Sequence, residues 1–463
     1  MFRRFLARIH RLLGVLLSVL FLMWFLSGFV MIYHSYPKTN QQDRLQRQLA
    51  LSGSLPLVAD LVNSLPDGAN IQKLAIETPL DRAVFELSGA DYSTQLYADT
   101  FQPIDDVTPH YIDKVRLLWN SEAIAKIDTL WEPDQWLMPG RIAKDVPVYK
   151  YSFADDAAHQ LYISSQSGKV LQYTDSNQRF WAWLGAIPHW VYFTSLRQHH
   201  TLWIESVKWA SGIGTVMCLL GLILAIRLLL KSTKRNFKSP YKKKWYHWHY
   251  ILGLVFGLVT TTFVFSGFMS LADLPNWLKK TPTTKPLVET NRRGDHRSTL
   301  NLSSYALDYR TLVEAIPNVK RIEWATYQNH PYYKAYKEGE TLLIDATYTD
   351  EIVPFVLTPE MIDVNITAAY GDIPYTIELI HEHDDQYFSV KKGKAPLPVY
   401  RVILEDELHT RFYYNPKTLS QQRLDDNSRL KRFLYGGLHS FNLKYLSDKP
   451  ILWNILMYTF MVG

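Results

Sequence analysis

Three long apolar stretches without a charged residue constrain this chain more than any other feature. They cover residues 12–33, 209–226 and 250–272. The first would reach about 33 Å as a helix, because each residue adds about 1.5 Å, and the hydrocarbon core of a membrane is about 30 Å thick. A buried helix of a soluble protein rarely runs so far without a charge. The sequence therefore predicts a multi-pass membrane protein whose first stretch is a retained anchor, not a cleaved signal peptide.

Basic residues flank these stretches on one side only. Residues 1–11 hold four Arg, and residues 227–244 hold eight Lys or Arg and no acid. Because Lys and Arg beside a span resist translocation, both flanks are expected in the cytoplasm. The whole chain has a formal net charge of +6, so the remainder is net −6. This distribution fits a lipid bilayer as partner and argues against nucleic acid, since anionic lipid accounts for the basic flanks.

The expected domain order alternates membrane helices with large outer domains. It runs from a cytoplasmic flank (1–11) through a first transmembrane helix (12–34), a first outer domain (35–205), a second helix (206–230), a basic cytoplasmic loop (231–248), a third helix (249–272) and a second outer domain (273–448) to the start of a fourth helix (451–463). Alternating apolar and polar residues predict antiparallel strands in both outer domains, and residues 122–130 and 309–316 are candidate helices. The fold class expected is thus a membrane α-helical protein with α+β extracytoplasmic domains. The 13 residues of the last segment reach only about 20 Å, so we expect the fourth helix to be truncated here.

Residues recur at two fixed offsets, which indicates an internal duplication. An offset of 239 places His10 on His249, Gly14 on Gly253 and Ser27-Gly28-Phe29 on Ser266-Gly267-Phe268. An offset of 250 places Asp175 on Asp425, Arg179 on Arg429 and His189 on His439. Glycine and polar positions do not recur by chance as apolar ones do. The sequence therefore predicts a four-helix transmembrane bundle carrying two copies of one outer domain.

The duplicated histidines are candidate haem ligands. His10 and His249 stand at the inner ends of two membrane helices, and His189 and His439 stand near the outer surface. Two neutral imidazoles on facing helices can hold b-type haem without a covalent link. The alternative is that these side chains belong to the aromatic belt that anchors helices at headgroup level. Less certain outer ligands are His34, His199 and His200.

Two further groups of polar residues are candidate binding sites. Arg179 and Arg429 each precede an outer histidine by ten residues, so they could hold haem propionates or only pair with Asp175 and Asp425. His381 and His383 form a weak candidate metal site, for which a solvated polar edge is the alternative.

Several cofactor sites are excluded by missing motifs. Cys218 is the only cysteine, so no disulfide, thiolate zinc site, iron–sulfur cluster or covalent haem attachment is possible within the chain. No GxGxxG follows a strand and no P-loop is present, so the sequence shows no nicotinamide or flavin site. An electron-transfer protein of this kind would take electrons from quinol or from a separate protein.

The order of these motifs resembles the PepSY-associated transmembrane family. The likeness rests on Arg8-x-His10-x3-Gly14 with Ser27-Gly28, on the run GKVLQYTDSNQRFWAWLGAIPHW, and on the repetition of both. That family includes reductases of the bacterial inner membrane that use b-type haem to reduce ferric siderophores in the periplasm. The resemblance implies an oxidoreductase with two haem b groups on the membrane-boundary histidines, a cytoplasmic N-terminus and periplasmic domains, acting in iron acquisition. The rival expectation is a non-enzymatic PepSY module that regulates a protease or captures a ligand, and a transporter comes third because no span carries a charge pair.

Overall fold

The computed structural model describes residues 2–66, 68–104, 108–137, 145–231, 239–282, 299–391 and 394–462. Part of the predicted basic loop, residues 232–238, lies outside these ranges. The α-helices in the described ranges are α1 (Phe2–Met31), α2 (Gln41–Arg47), α3 (Val58–Ser64), α4 (Pro109–Trp119), α5 (Ser176–Leu184), α6 (Ala186–His189), α7 (Thr194–Arg197), α8 (His200–Lys231), α9 (Lys244–Leu271), α10 (Tyr309–Ala315), α11 (Pro359–Tyr370), α12 (Asp426–Arg432), α13 (Leu438–Ser440), α14 (Lys444–Ser447) and α15 (Pro450–Val462). A π-helical turn, Phe433–Gly437, lies between α12 and α13, and a 3-10 turn covers Leu302–Ser304.

The strands are, in chain order, β1 (Lys73–Glu77), β2 (Val84–Ser88), β3 (Ser93–Tyr97), β4 (Ile124–Leu130), β5 (Val148–Phe153), β6 (Gln160–Ser164), β7 (Val170–Thr174), β8 (Arg321–Tyr327), β9 (His330–Lys337), β10 (Glu340–Asp345), β11 (Tyr375–Ile380), β12 (Val399–Leu404), β13 (Arg411–Tyr414) and β14 (Gln421–Leu424). The prediction of an α+β protein with long apolar helices is confirmed.

Three helices, α1, α8 and α9, are long and apolar enough to cross a membrane. Their outward surfaces are apolar, and Val19, for example, is 77% exposed in the absence of lipid. Such a surface is stable against hydrocarbon and unstable against water. Helix α8 packs along both α1 and α9, while the shorter apolar helix α15 contacts α1 and α9. The prediction of membrane-crossing helices is therefore supported by their length and composition.

A six-stranded antiparallel sheet joins the two halves of the chain. Its strand order is β10-β9-β8-β1-β2-β3, so the first half supplies one side and the second half the other. Strands β1 and β8 meet at the centre, with Leu74 opposite Trp324. One apolar core beneath this sheet contains Leu74, Phe85, Tyr309 and Trp324, which are all nearly inaccessible to solvent. The halves are therefore held together by burial as well as by backbone hydrogen bonds.

Two four-stranded antiparallel sheets have the same strand order, β4-β5-β6-β7 in the first half and β11-β12-β13-β14 in the second. Strand β4 corrects the expected helix at residues 122–130, whereas the expected helix at 309–316 is confirmed as α10. Ile124, Ile127 and Thr129 are β-branched and favour extended backbone, and β5 supplies hydrogen-bond partners that an isolated helix of this length would lack.

Each small sheet leads into a helix that returns the chain toward the membrane. Asp175 caps α5 and Asp425 caps α12, and in both cases a capping box fixes the first turn. Further along, the indole nitrogen of Trp203 donates to the carbonyl of Trp190, and that of Trp453 donates to the carbonyl of Ser440, both over 2.8 Å. These bonds fix the segments that carry His189 and His439.

Candidate functional site

The inner pair of predicted ligands lies between two membrane helices. His10 on α1 and His249 on α9 have ring centres 6.1 Å apart, with their planes at 32°. Helix α8 lies against both helices, and the Nδ1 atom of His10 is 2.9 Å from the carbonyl oxygen of Met217 on α8. Gly221, one turn further along α8, allows the His10 ring to lie flush against the helix backbone.

The outer pair is carried by the short segments that precede the membrane helices. His189 ends α6, His439 lies within α13, and their ring centres are 5.9 Å apart with planes at 59°. The Nδ1 atom of His189 lies 3.1 Å from the carbonyl oxygen of Trp24 on α1. The Nδ1 atom of His439 lies 3.3 Å from the carbonyl oxygen of Phe263 on α9.

A serine hydroxyl accompanies each outer histidine. Ser27 Oγ is 3.3 Å from Nδ1 of His189, and Ser266 Oγ is 3.0 Å from Nδ1 of His439. Both serines are almost fully buried. The two contacts are equivalent in the two halves of the chain. Ser27 and Ser266 are 239 positions apart and the two histidines are 250 apart, which are the two offsets of the internal duplication.

Both pairs have the spacing that one bridging metal ion requires. Two imidazoles on opposite sides of one ion, with metal–nitrogen bonds of about 2.0 Å, have ring centres about 6.3 Å apart. The observed separations of 6.1 and 5.9 Å are close to that value. In three of the four rings Nδ1 already faces a backbone carbonyl, which leaves Nε2 as the ligating atom. A metal-bound histidine characteristically donates its other N–H in this way.

The outer rings are neutral near pH 7. Burial lowers the pKa of His189, which lies outside the three candidate spans, to about 4, and the neighbouring His439 adds to that effect. Burial lowers the pKa of His439 as well. A neutral imidazole retains the lone pair that a metal ion needs, so the environment favours the form that ligates.

Open space lies beside the helix backbones that carry the inner pair. Gly14 and Gly253 lie one turn beyond His10 and His249 on their helices. A Cβ added at Gly253 would meet no atom within 4 Å, and one at Gly14 would meet only the Met217 sulfur at 3.9 Å. Two imidazoles provide two ligands, and a porphyrin provides the four equatorial ones, so the donor set fits b-type haem.

The two pairs mark opposite ends of the membrane helices. His10 and Ser27 are 17 residues apart on α1, and His249 and Ser266 are 17 apart on α9. At about 1.5 Å per residue this separation is about 25 Å along the helix axis. The two pairs are therefore separated by nearly the thickness of a hydrocarbon core, which is about 30 Å.

The structure does not bring the less certain outer histidines into either pair. His34 stacks on Trp181, with ring centres 4.3 Å apart. His199 and His200 are exposed beside a shallow hollow at the start of α8, and the His200 ring lies 6.0 Å from Trp203. These three histidines therefore lie beside tryptophan rings or solvent, as side chains of an aromatic belt do.

Arg179 and Arg429 are engaged within the outer domains. Arg179 donates to the carbonyl oxygens of Thr174 and Ala158 and to the Thr174 hydroxyl. Arg429 donates to the carbonyls of Leu408 and His409 and pairs with Asp426 instead of Asp425. Both guanidinium groups thus hold a nearby turn against the start of a helix.

The His381 and His383 cluster is dispersed in the structure. His381 is exposed, and Nε2 of His383 is 2.8 Å from the carbonyl oxygen of Ala395. The adjacent Asp384 forms an ion pair with Arg401 and accepts a hydrogen bond from the Tyr413 hydroxyl. In the described part of the chain, no group of three or more His, Cys, Asp or Glu side chains is arranged to hold a metal ion.

Four contributors to the sites were not predicted from the sequence. They are Ser27, Ser266, Gly221 and the carbonyl of Met217. The recurrence of Ser-Gly in both halves was the available signal for the serines, whereas Gly221 contacts His10 only through tertiary packing.

No family model, curated protein or solved structure matches this chain. The interpretation of the site therefore rests on its own residues and geometry.

Proposed function

We propose that this protein is a membrane oxidoreductase with two b-type haem groups, one between His10 and His249 and one between His189 and His439. Haem supplies reversible one-electron chemistry when bound. The four histidines would hold these groups, and the helices around them would exclude water. The observation that carries the proposal is the recurrence, at both ends of the membrane helices, of an imidazole pair spaced for one metal ion.

The proposed topology places the outer pair in the bacterial periplasm. Basic residues flank the His10 end of α1 and the His249 end of α9, which makes that end cytoplasmic. The sheets then lie outside, and we propose that they are two PepSY-like domains from a duplicated unit. Outward movement of an electron is favoured by a membrane potential that is negative inside, by about 2.3 kcal/mol per 100 mV.

The proposed substrate is ferric iron held by a chelator such as a siderophore. Hard oxygen ligands hold ferric iron more strongly than ferrous iron, so a one-electron reduction outside the membrane would loosen the chelate. Iron would then be released without destruction of the chelator. This reaction belongs to iron acquisition and needs only an electron at the outer pair.

The proposed electron donor is quinol or a separate protein, because the sequence shows no nucleotide-binding motif. We expect NADH alone to leave the purified, oxidised protein unreduced, whereas a quinol analogue reduces it. The measurement is the absorption spectrum under anaerobic conditions. Rapid reduction by NADH in the absence of membrane extract would contradict this assignment.

Anaerobic mixing tests the function directly. The protein is reduced, freed of excess reductant and mixed with a ferric siderophore in the presence of a ferrous-specific chromophore. We expect the reduced haem bands to disappear as ferrous iron appears. The gallium-loaded siderophore, which has the same shape but accepts no electron, should leave the bands unchanged. A haem-containing protein that stays reduced with the iron form would refute the reductase, and a haem-free protein would favour the non-enzymatic module.

A further inference from the structure

Two buried serines present lone pairs to the outer imidazoles. Ser27 donates its hydroxyl proton to the carbonyls of Met23 and Trp24, and Ser266 donates to the carbonyl of Phe263. Each hydroxyl proton is therefore used within the serine's own helix. Toward the histidine, the oxygen can only accept a hydrogen bond.

This arrangement selects one histidine tautomer. Nδ1 of His189 faces Ser27 Oγ and the carbonyl of Trp24, and Nδ1 of His439 faces Ser266 Oγ and the carbonyl of Phe263. The two carbonyls can only accept, so Nδ1 carries the proton, and the serine oxygens accept from the same N–H. The lone pair then resides on Nε2, which is the atom left to bind a metal ion.

We infer that Ser27 and Ser266 are positioning residues for the outer centre, which accept a second hydrogen bond from Nδ1–H of its two ligands and lower its midpoint potential. The inference rests on the proposed function. An acceptor on Nδ1–H makes the imidazole a stronger donor through Nε2. A stronger donor stabilises ferric over ferrous iron, so the outer centre becomes harder to reduce and a better reductant for a ferric chelate.

No serine in the described ranges contacts either ring of the inner pair. Nδ1 of His10 faces one acceptor, the carbonyl of Met217. The ring of His249 has no hydrogen-bond partner among the residues that the structure describes. Removal of the serine hydroxyls should therefore change one centre and leave the other as it was.

A redox titration of Ser27→Ala and Ser266→Ala tests the inference. We expect each variant to keep both haem groups and to raise the midpoint potential of the outer centre alone, assigned by comparison with His189→Ala. Ser211→Ala is the matched control, because Ser211 is equally buried and bonds to the carbonyls of Val207 and Lys208 without touching a histidine. Midpoint potentials that match the wild type in both serine variants would overturn the inference while leaving the proposed function intact.

A second measurement does not depend on haem. Histidine ¹⁵N resonances of the haem-free protein report which ring nitrogen carries the proton. We expect the Nδ1–H form for His189 and His439 in the wild type. In the serine variants the carbonyls of Trp24 and Phe263 keep the proton on Nδ1, and we expect the Nδ1 resonance to shift because one of its two acceptors is lost. An Nε2–H form in the wild type, or unshifted resonances in both serine variants, would overturn the inference. A purified wild-type protein that never binds haem would overturn the proposed function, and the resonances would still decide whether the serines accept from Nδ1–H.

Discussion

Among single residues, four histidines are essential to the proposed function. His10 and His249 form the inner pair, and His189 and His439 form the outer one. A centre with two axial ligands loses its cofactor when either is removed, and the other centre lies about 25 Å away along the helices. Each centre should therefore respond independently to substitution.

We predict that His189→Ala or His439→Ala removes the outer haem, and that His10→Ala or His249→Ala removes the inner one. Each variant should retain about half of the wild-type haem, measured by extraction and absorbance per mole of membrane-inserted protein. His247→Ala is the control, because His247 lies two residues from His249 on the same helix and its ring meets that of Trp248 edge to face. Full haem content in all four variants would assign these side chains to the aromatic belt.

Most of the candidate site residues could be predicted from the sequence, because the sequence shows both the histidines and their recurrence at fixed offsets. The pairing of His10 with His249 and of His189 with His439 followed from two fixed offsets. The acceptors behind the rings could not be predicted, because a backbone carbonyl such as that of Met217 has no sequence signature. The role of Ser27 depends on which face of α1 meets α6, which only packing decides.

At the scale of elements, close helix packing holds the imidazoles in place. A Cβ added at Gly221 on α8 would lie 2.6 Å from Cε1 of the His10 ring. That distance is far inside van der Waals contact, and the ring cannot move away without leaving the carbonyl of Met217. The absence of a side chain at this position is therefore a requirement of the inner pair.

We predict that Gly221→Ala lowers the haem content of the inner centre and spares the outer one. The control is Gly257→Ala on α9, where the new Cβ would be 3.4 Å from the Leu222 side chain, an ordinary contact. Difference spectra, with the centres assigned from the histidine variants, provide the measurement. Equal haem retention in Gly221→Ala and Gly257→Ala would show that the His10 ring is not held against α8.

Elements with a long sequence pattern were predicted correctly, whereas only one of the two short candidate helices, residues 309–316, is a helix. Apolar stretches of about 20 residues identify α1, α8 and α9 without tertiary information. Residues 122–130 were a candidate helix and form β4, because pairing with β5 outweighs the local preference of a short segment.

At the scale of the whole molecule, one buried arginine ties the halves together. Arg321 on β8 pairs with Glu77 on β1 and Glu86 on β2, and Lys169 also pairs with Glu86. Burial alone would raise the pKa of Glu86, but the charges of Lys169 and Arg321 outweigh it and lower that pKa to about 2. The folded state thus holds this carboxylate ionised well below the ordinary glutamate value of about 4.3.

We predict that Arg321→Met destabilises the protein by about 3–5 kcal/mol at pH 7, because Glu77 loses its arginine partner and Glu86 keeps Lys169 alone. A lowered carboxyl pKa contributes stability that is complete above about pH 4.3 and is lost as the pH falls toward 2. The deficit should therefore be constant from pH 7 to about pH 4.3 and shrink as the pH falls from there toward 2 in thermal unfolding measurements. Arg82→Met is the control, since its pair with Asp99 is exposed and such pairs contribute little. A deficit that stays constant down to about pH 2 would contradict this account.

The joining of the halves could not be predicted from the sequence. Strands β1 and β8 pair although about 250 residues separate them, and neither strand carries a signal for its partner. Alternation identifies a strand and its buried face, whereas the choice of neighbour depends on how the membrane helices bring the domains together.

Haem quantification on the purified protein decides whether the four histidines bind two b-type haem groups. We predict a reduced-minus-oxidised spectrum of b-type haem, two haem groups per chain, and the low-spin ferric signal of two imidazole ligands at each. A colourless preparation from haem-replete cells, or one with wild-type haem content after simultaneous replacement of His10, His189, His249 and His439, would contradict this prediction.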